Sequence, residues 1–207
     1  MDDYLTFGDE ASPLTLILAH GAGLPMNAPF MVHVAQSVAG FGFQVVLFDF
    51  DYMKRRKLEG RQFPPDRAEK LLARWRQVMA DWAGHRLVIG GKSMGGRMAS
   101  MVMAETPDAA EGLVCLGYPF HPPGRPDNLR VEHLHNLTSP TLICQGERDP
   151  FGTREEFGQS PFPDCVEFYW VADGEHSFRP RVSSGLTEEQ NLIAAATAVG
   201  DFMKKLV

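Results

Sequence analysis

Gly91-Lys92-Ser93-Met94-Gly95 sets a serine between two glycines, directly after the apolar run Leu87-Val88-Ile89 and before a stretch rich in Met and Ala. In a strand-turn-helix setting G-x-S-x-G is a nucleophile elbow. The serine takes a strained backbone conformation that lifts its hydroxyl above the sheet, and side chains two residues to either side would strike the neighbouring strand and helix. Gly96 adds further room. A phosphate loop would also use such glycines, but a Walker motif needs glycine five residues before Gly91, where Arg86 stands. A serine hydroxyl is a weak nucleophile until a general base takes its proton and a carboxylate orients that base. Both residue types follow downstream. Asp149 lies in Gln145-Gly146-Glu147-Arg148-Asp149-Pro150, just past the apolar run Thr141 to Cys144. His176 lies in Asp173-Gly174-Glu175-His176-Ser177-Phe178, past Val166 to Val171. Ser93 is therefore the expected nucleophile, His176 the base and Asp149 the orienting acid. Glu147 is the nearest rival for the acid, Asp173 and Glu175 flank the histidine, and His121 follows another strand.

Acyl transfer develops an oxyanion, which needs backbone N–H donors fixed in advance. Met94, the residue after the serine, is expected to supply one. The turn His20-Gly21-Ala22-Gly23 is expected to supply the other, from Ala22 in preference to Gly23, with His20 holding the turn. From Tyr52 to Arg76 the chain carries nine of its twenty Lys and Arg residues. A loop after a parallel strand shares the nucleophile's edge, so Tyr52, Arg55, Arg56 and His121 are the candidate substrate-binding residues, with Arg55, Arg56 and Arg61 able to steer an anionic substrate. The plainer reading of the basic segment is a solvated loop and an exposed helix face.

Six short apolar runs, each closed by Gly, Pro, Asp or His, are predicted to be strands: 14–19, 44–48, 86–90, 112–117, 141–144 and 166–171. Helical spacing appears between them. Phe30, Val34 and Val38 stand four apart, and Leu71, Leu72, Trp75, Val78, Met79 and Trp82 form one stripe over 66–82. Thr187 and Gln190 form a capping box ahead of a last helix whose predicted inner face is Ile193, Ala196, Val199, Phe202, Met203 and Leu206. Strands alternating with helices imply right-handed crossovers and a parallel sheet covered on both faces. Only Asp51 to Pro65 and Pro119 to Asn136 remain as candidate pocket walls, and neither is long enough for a large cap.

A length of 207 residues points to one domain, 1–207. A hydrophobic content of 44% and a charged content of 22% are those of a globular chain rather than a disordered one. Twenty Lys and Arg against 26 Asp and Glu leave a formal charge of −6, which gives no general attraction to nucleic acid or anionic membrane. The start Met1-Asp2-Asp3-Tyr4 is acidic where a secretory signal is basic, and no apolar run approaches a membrane span, so a soluble cytoplasmic protein is expected. Three cysteines, two of them inside apolar runs, read as buried thiols, and neither a CxxC pair nor an HExxH helix offers a metal site. No cofactor is called for, and the composition is silent on oligomeric state.

From about Leu14 onward the chain resembles a small, lidless α/β-hydrolase of the dienelactone-hydrolase-like type, and more narrowly the predicted bacterial hydrolases related to testis-expressed protein 30. The resemblance is carried by HGAG at His20 to Gly23, YMKRR at Tyr52 to Arg56, GGKSMGGR at Gly90 to Arg97, GYPFHPPG at Gly117 to Gly124, QGERDPFG at Gln145 to Gly152 and DGEHSF at Asp173 to Phe178. It implies an α/β-hydrolase fold, with a mostly parallel sheet of about six strands, helices on both faces and no large cap domain. The order Ser93, Asp149, His176 is the order of that fold's triads. Dienelactone hydrolases proper use cysteine at the elbow, and dehalogenases and epoxide hydrolases aspartate, so Ser93 directs the expectation to a small ester, thioester or related acyl substrate cleaved through an acyl-enzyme. A peptidase or C–C hydrolase would use the same triad. A non-catalytic interaction module that keeps the fold is the alternative from another class.

Overall fold

The computed structural model describes residues 3–159 and 162–207; the Met1 and Asp2 of the acidic start lie outside them. Seven strands form one sheet in the order β1-β3-β2-β4-β5-β6-β7. They are β1 (Tyr4–Phe7), β2 (Thr15–Ala19), β3 (Gln44–Phe48), β4 (Leu87–Lys92), β5 (Gly112–Leu116), β6 (Thr141–Gly146) and β7 (Val166–Val171). Strands β2 to β5 are buried along their whole length, as their unbroken apolar runs require when both faces of a parallel sheet are covered. The six expected strands are all present. The seventh, β1, is an addition to them: it pairs antiparallel with β3, Tyr4 opposite Phe48, while every other pairing is parallel.

Helices α1 (Pro29–Ala39) and α6 (Glu188–Lys204) pack on one face, where Val34, Val38, Val199 and Met203 meet Leu16, Leu18 and Val114. On the other face α3 (Ala68–Asp81) and α4 (Met94–Glu105) bring Trp75, Val78, Met98 and Val102 against Ile17, Phe48 and Ile89. The box at Thr187 and Gln190 caps α6 as expected, through hydrogen bonds of 2.9 and 3.1 Å. The inner face of that helix differs by one position, because Leu192 and Ala195 point inward and Ile193 is 48% exposed. Asp51 to Glu59, expected as loop, is a helix, α2, whose only buried residues are Tyr52 and Met53. A short helix, α5, spans Arg154–Phe157.

The strand order places β2 between β3 and β4, so the chain leaves β2 toward one edge of the sheet and later returns to its other side. The loops after β2 and β4 therefore part, and the crevice at such a switch point is where open α/β sheets hold ligands. His20–Gly23 follows β2, and Ser93 follows β4. Among the described residues no helix is long and apolar enough to cross a membrane.

Candidate active site

Ser93 sits between β4 and α4 with φ 51° and ψ −115°, a region that L-residues seldom occupy. Its own N–H donates to the Leu116 carbonyl at 3.0 Å, which pins the turn to β5. A Cβ at Gly95 would lie 2.5 Å from the Ala19 carbonyl oxygen and one at Gly96 2.6 Å from that of Gly91, so the helix after the serine approaches the strands as closely as backbone permits.

Ser93, His176 and Asp149 are brought together. His176 Nε2 lies 2.9 Å from Ser93 Oγ, and His176 Nδ1 lies 2.8 Å from Asp149 Oδ2. Asp149 is fully buried and also accepts from Gln145 Nε2 at 3.0 Å and from the Phe151 N–H at 2.9 Å. Gln145 is itself buried at the end of β6, where it accepts from the Tyr118 N–H and donates to the carbonyls of Tyr118 and Gly152. Burial holds the His176 imidazole below the usual histidine range; the Asp149 hydrogen bond opposes this and the Lys92 charge adds to it.

The rival carboxylates are engaged elsewhere. Glu147 accepts from the Asp173 N–H at 2.9 Å and from Arg154 at 2.6 Å, which hold it below the usual carboxylate range. Asp173 pairs with Arg148 and Arg181, and Glu175 accepts the Ser177 N–H at 2.7 Å, shaping the turn that carries His176.

The His20–Gly23 turn lines the same crevice. Phe50 N–H donates to His20 Nε2 at 3.1 Å, so Nδ1 carries the proton and donates to the Gly21 carbonyl at 2.6 Å. Burial keeps this imidazole below its ordinary pKa. Tyr52 Oη donates to the carbonyls of Gly21 and Ala22 at 3.3 and 3.1 Å, and Arg56 to those of Ala22 and Gly23, both at 3.3 Å. In a trans peptide the N–H points opposite the carbonyl, so holding the Gly21 oxygen from behind aims the Ala22 N–H the other way. Met94 opens α4, where its N–H has no intrahelical acceptor and the helix dipole is positive.

A cavity of about 300 Å³ opens beside Ser93 and His176, walled by Leu24, Phe30, Met31 and Phe151 with Lys92 at its base. Grooves of about 510 and 440 Å³ lie elsewhere, one against His85–Leu87 and Pro107–Glu111 and one against Leu5, Asp49 and Lys57, and neither contains Ser93, His176 or Asp149. The four residues expected to bind substrate do not line the Ser93 cavity, which corrects the expected pocket walls: the segment 21–31 takes the place of 51–65 and 119–136. Tyr52 is fully buried beneath the 20–23 turn, and Arg56 braces the same turn while also donating to the Phe63 carbonyl at 2.6 Å. Arg55 pairs with Asp66 at 3.0 Å. His121 is 4% exposed, with Nδ1 3.0 Å from the Pro122 carbonyl oxygen and its ring against Phe157. Four cations of the basic segment pair with carboxylates, Lys54 with Asp3, Arg55 with Asp66, Lys57 with Asp49 and Arg76 with Glu105. Gln145 and Lys92 have no role in the elbow or triad patterns, although they stand within QGERDPFG and GGKSMGGR.

Residues 12–204 match the model of the Alpha/beta hydrolase domain family, and the chain belongs to that family. Among solved structures it is similar to dienelactone hydrolase from Anabaena variabilis, at 22% identity over 98% of this chain and 90% of that one, with a TM-score of 0.73. A serine hydrolase without a lid from Xanthomonas campestris is similar at 16% identity, 98% and 88% coverage and a TM-score of 0.67. An enzyme from Butyrivibrio proteoclasticus with ferulic acid bound is similar at 16% identity, 98% and 94% coverage and a TM-score of 0.69.

Proposed function

We propose that this protein is a serine hydrolase that cleaves a small ester, thioester or related acyl compound through an acyl-enzyme. One observation carries the reading: an unbroken chain of hydrogen bonds, 2.9 Å from Ser93 to His176 and 2.8 Å from His176 to Asp149, at the mouth of an apolar cavity. His176 Nε2 takes the Ser93 proton as Oγ attacks the acyl carbon, and Asp149 keeps the proton on Nδ1 and stabilises the imidazolium that forms. The Ala22 and Met94 N–H groups receive the oxyanion. The imidazolium then protonates the leaving group, and water, activated by the same imidazole, releases the acid and restores Ser93. A cavity of about 300 Å³ lies at the lower end of the range for small-molecule pockets, which favours a short or planar acyl group. The ferulic acid held by the Butyrivibrio relative makes an aromatic acyl group worth including among the substrates tried.

Labelling with a fluorophosphonate and turnover of p-nitrophenyl esters of increasing chain length test this reading. Wild type is expected to label and to prefer short acyl chains, while Ser93→Ala loses the label and about 10⁴- to 10⁶-fold in rate. A wild type that neither labels nor turns over any ester would support the interaction module instead.

A further inference from the structure

Lys92 is the one charged residue of the elbow pentapeptide, and its side chain turns inward. It is 8% exposed, and its Nζ donates to the His176 carbonyl at 2.6 Å, bridging 84 residues of chain. The ammonium also lies 5.4 Å from the centre of the Phe30 ring in the cavity wall. Gly117 makes room for it: with φ at +64°, a Cβ there would fall 2.8 Å from Lys92 Nζ and 2.9 Å from the His176 carbonyl oxygen. The same point is 3.4 Å from His176 Nδ1, so the ammonium and the imidazole nitrogen are within about 6 Å of each other. Holding a lysine in this position has a cost, since burial pushes its pKa down to about 8 against the pull of Asp149 and Glu175. A structural tether alone has no need of a charge there, because a neutral donor would satisfy the same carbonyl.

We propose that Lys92 is a positioning residue for His176: its hydrogen bond holds the histidine turn against the elbow strand, and its ammonium sets a positive charge behind the imidazole. The inference rests on the hydrolase reading above. Three charged groups face His176, namely Asp149 after β6, Glu175 in its own turn and Lys92 at the end of β4. The two carboxylates favour the imidazolium, and Lys92 opposes them, keeping the ring neutral and able to accept the Ser93 proton at a lower pH. Lys92 stays largely charged throughout the range in which His176 titrates, so its influence acts on the acid limb of the activity profile.

The test is to titrate the His176 ring by NMR in wild type, Lys92→Met and Lys92→Gln, with the pH profile of kcat/KM measured alongside. Removing the charge is expected to raise the His176 midpoint by about half a unit to one unit. The acid limb of kcat/KM moves up by the same amount, and kcat falls about tenfold or more while KM changes little. An unchanged midpoint in folded variants, or failure of both variants to fold, overturns the proposal and leaves Lys92 a structural residue. The NMR readout needs no substrate. A wild type inert to fluorophosphonate would therefore remove the hydrolase reading separately, whatever the His176 midpoint does.

Discussion

Asp149 uses both of its carboxylate oxygens as acceptors, Oδ1 toward the Phe151 N–H and Oδ2 toward Gln145 and His176. An amide in its place must turn an NH₂ toward a donor or drive the imidazole into the wrong tautomer, while filling the same volume. Asp149→Asn is accordingly expected to fold and to lose about 10³- to 10⁴-fold in kcat. Glu147→Gln, which loosens the contact with Arg154 on the far side of the strand end, is expected to stay within about tenfold of wild type. Ester hydrolysis by the two purified variants separates these outcomes, and a larger loss at Glu147 would reverse the assignment. The pH profile follows from the same surroundings. Because burial and the Lys92 charge outweigh Asp149 at His176, the acid limb of kcat/KM should have its midpoint below the free-histidine value of about 6.5. A midpoint above that value would contradict it. Asp149 was legible as a candidate because it closely follows the apolar run 141–144 and precedes His176 in the chain. Gln145 and Lys92 were not, since each acts through a partner, Tyr118 and His176, that lies 27 and 84 residues away and that no local pattern names.

The elbow works as an element because α4 starts almost in contact with β2. Gly95 is the point of closest approach: a Cβ there would meet the carbonyl oxygens of Ala19 and His20 at 2.5 and 2.6 Å, and backbone cannot yield as a flexible side chain can. Gly95→Ala is expected to destabilise by about 1–3 kcal/mol, lowering Tm by roughly 3–10 °C, and to reduce fluorophosphonate labelling by displacing Ser93. A thermal melt matching wild type would show that the turn has slack it does not display. Elements with a long apolar run or a wide stripe were legible for this reason of burial, β2 to β5 and α3 above all. Those that were not, β1, α2 and the four-residue α5, are all short of buried surface. β1 has four residues on a sheet edge, none fully buried, so no period could emerge. α2 buries only Tyr52 and Met53; its remaining signals are Asp51 in the first turn, Arg56 and Lys57 in the last, and the left-handed Gly60 that ends it. In a loop its basic side chains would be free to meet substrate, whereas the helix directs Tyr52 and Arg56 onto the carbonyls of the 20–23 turn.

At the scale of the whole molecule, burial acts on three histidines in the segments that follow β2, β5 and β7. His20 lies under the turn after β2 and His176 over the turn after β7. His133 sits behind α4, with Nε2 2.8 Å from Ser100 Oγ and 3.1 Å from Tyr118 Oη. Burial depresses all three, His133 to about 4, with the Arg97 charge adding to the effect. Each is therefore neutral in the folded protein over a range where the unfolded chain, with a pKa of about 6.5, is protonated. Unfolding takes up protons in that range, so stability is full above about 6.5 and falls as the pH drops toward about 4. Carboxylates held low by their partners, Asp3, Asp81, Glu147 and Asp173, add a second loss only below their own unfolded values near 4. Urea denaturation at pH 7.5, 6.0 and 5.0 should show stability declining across the whole series, and a flat series would sink the argument. The loss should also be local before it is global. Hydrogen exchange at pH 5 is expected to show residues 20–23, 130–137 and 173–178 losing protection while β2 to β5 retain theirs, because the groups that gain protons on opening lie in those segments. Protection lost first in α1 and α6, the pair farthest from His133, would place the weak point elsewhere.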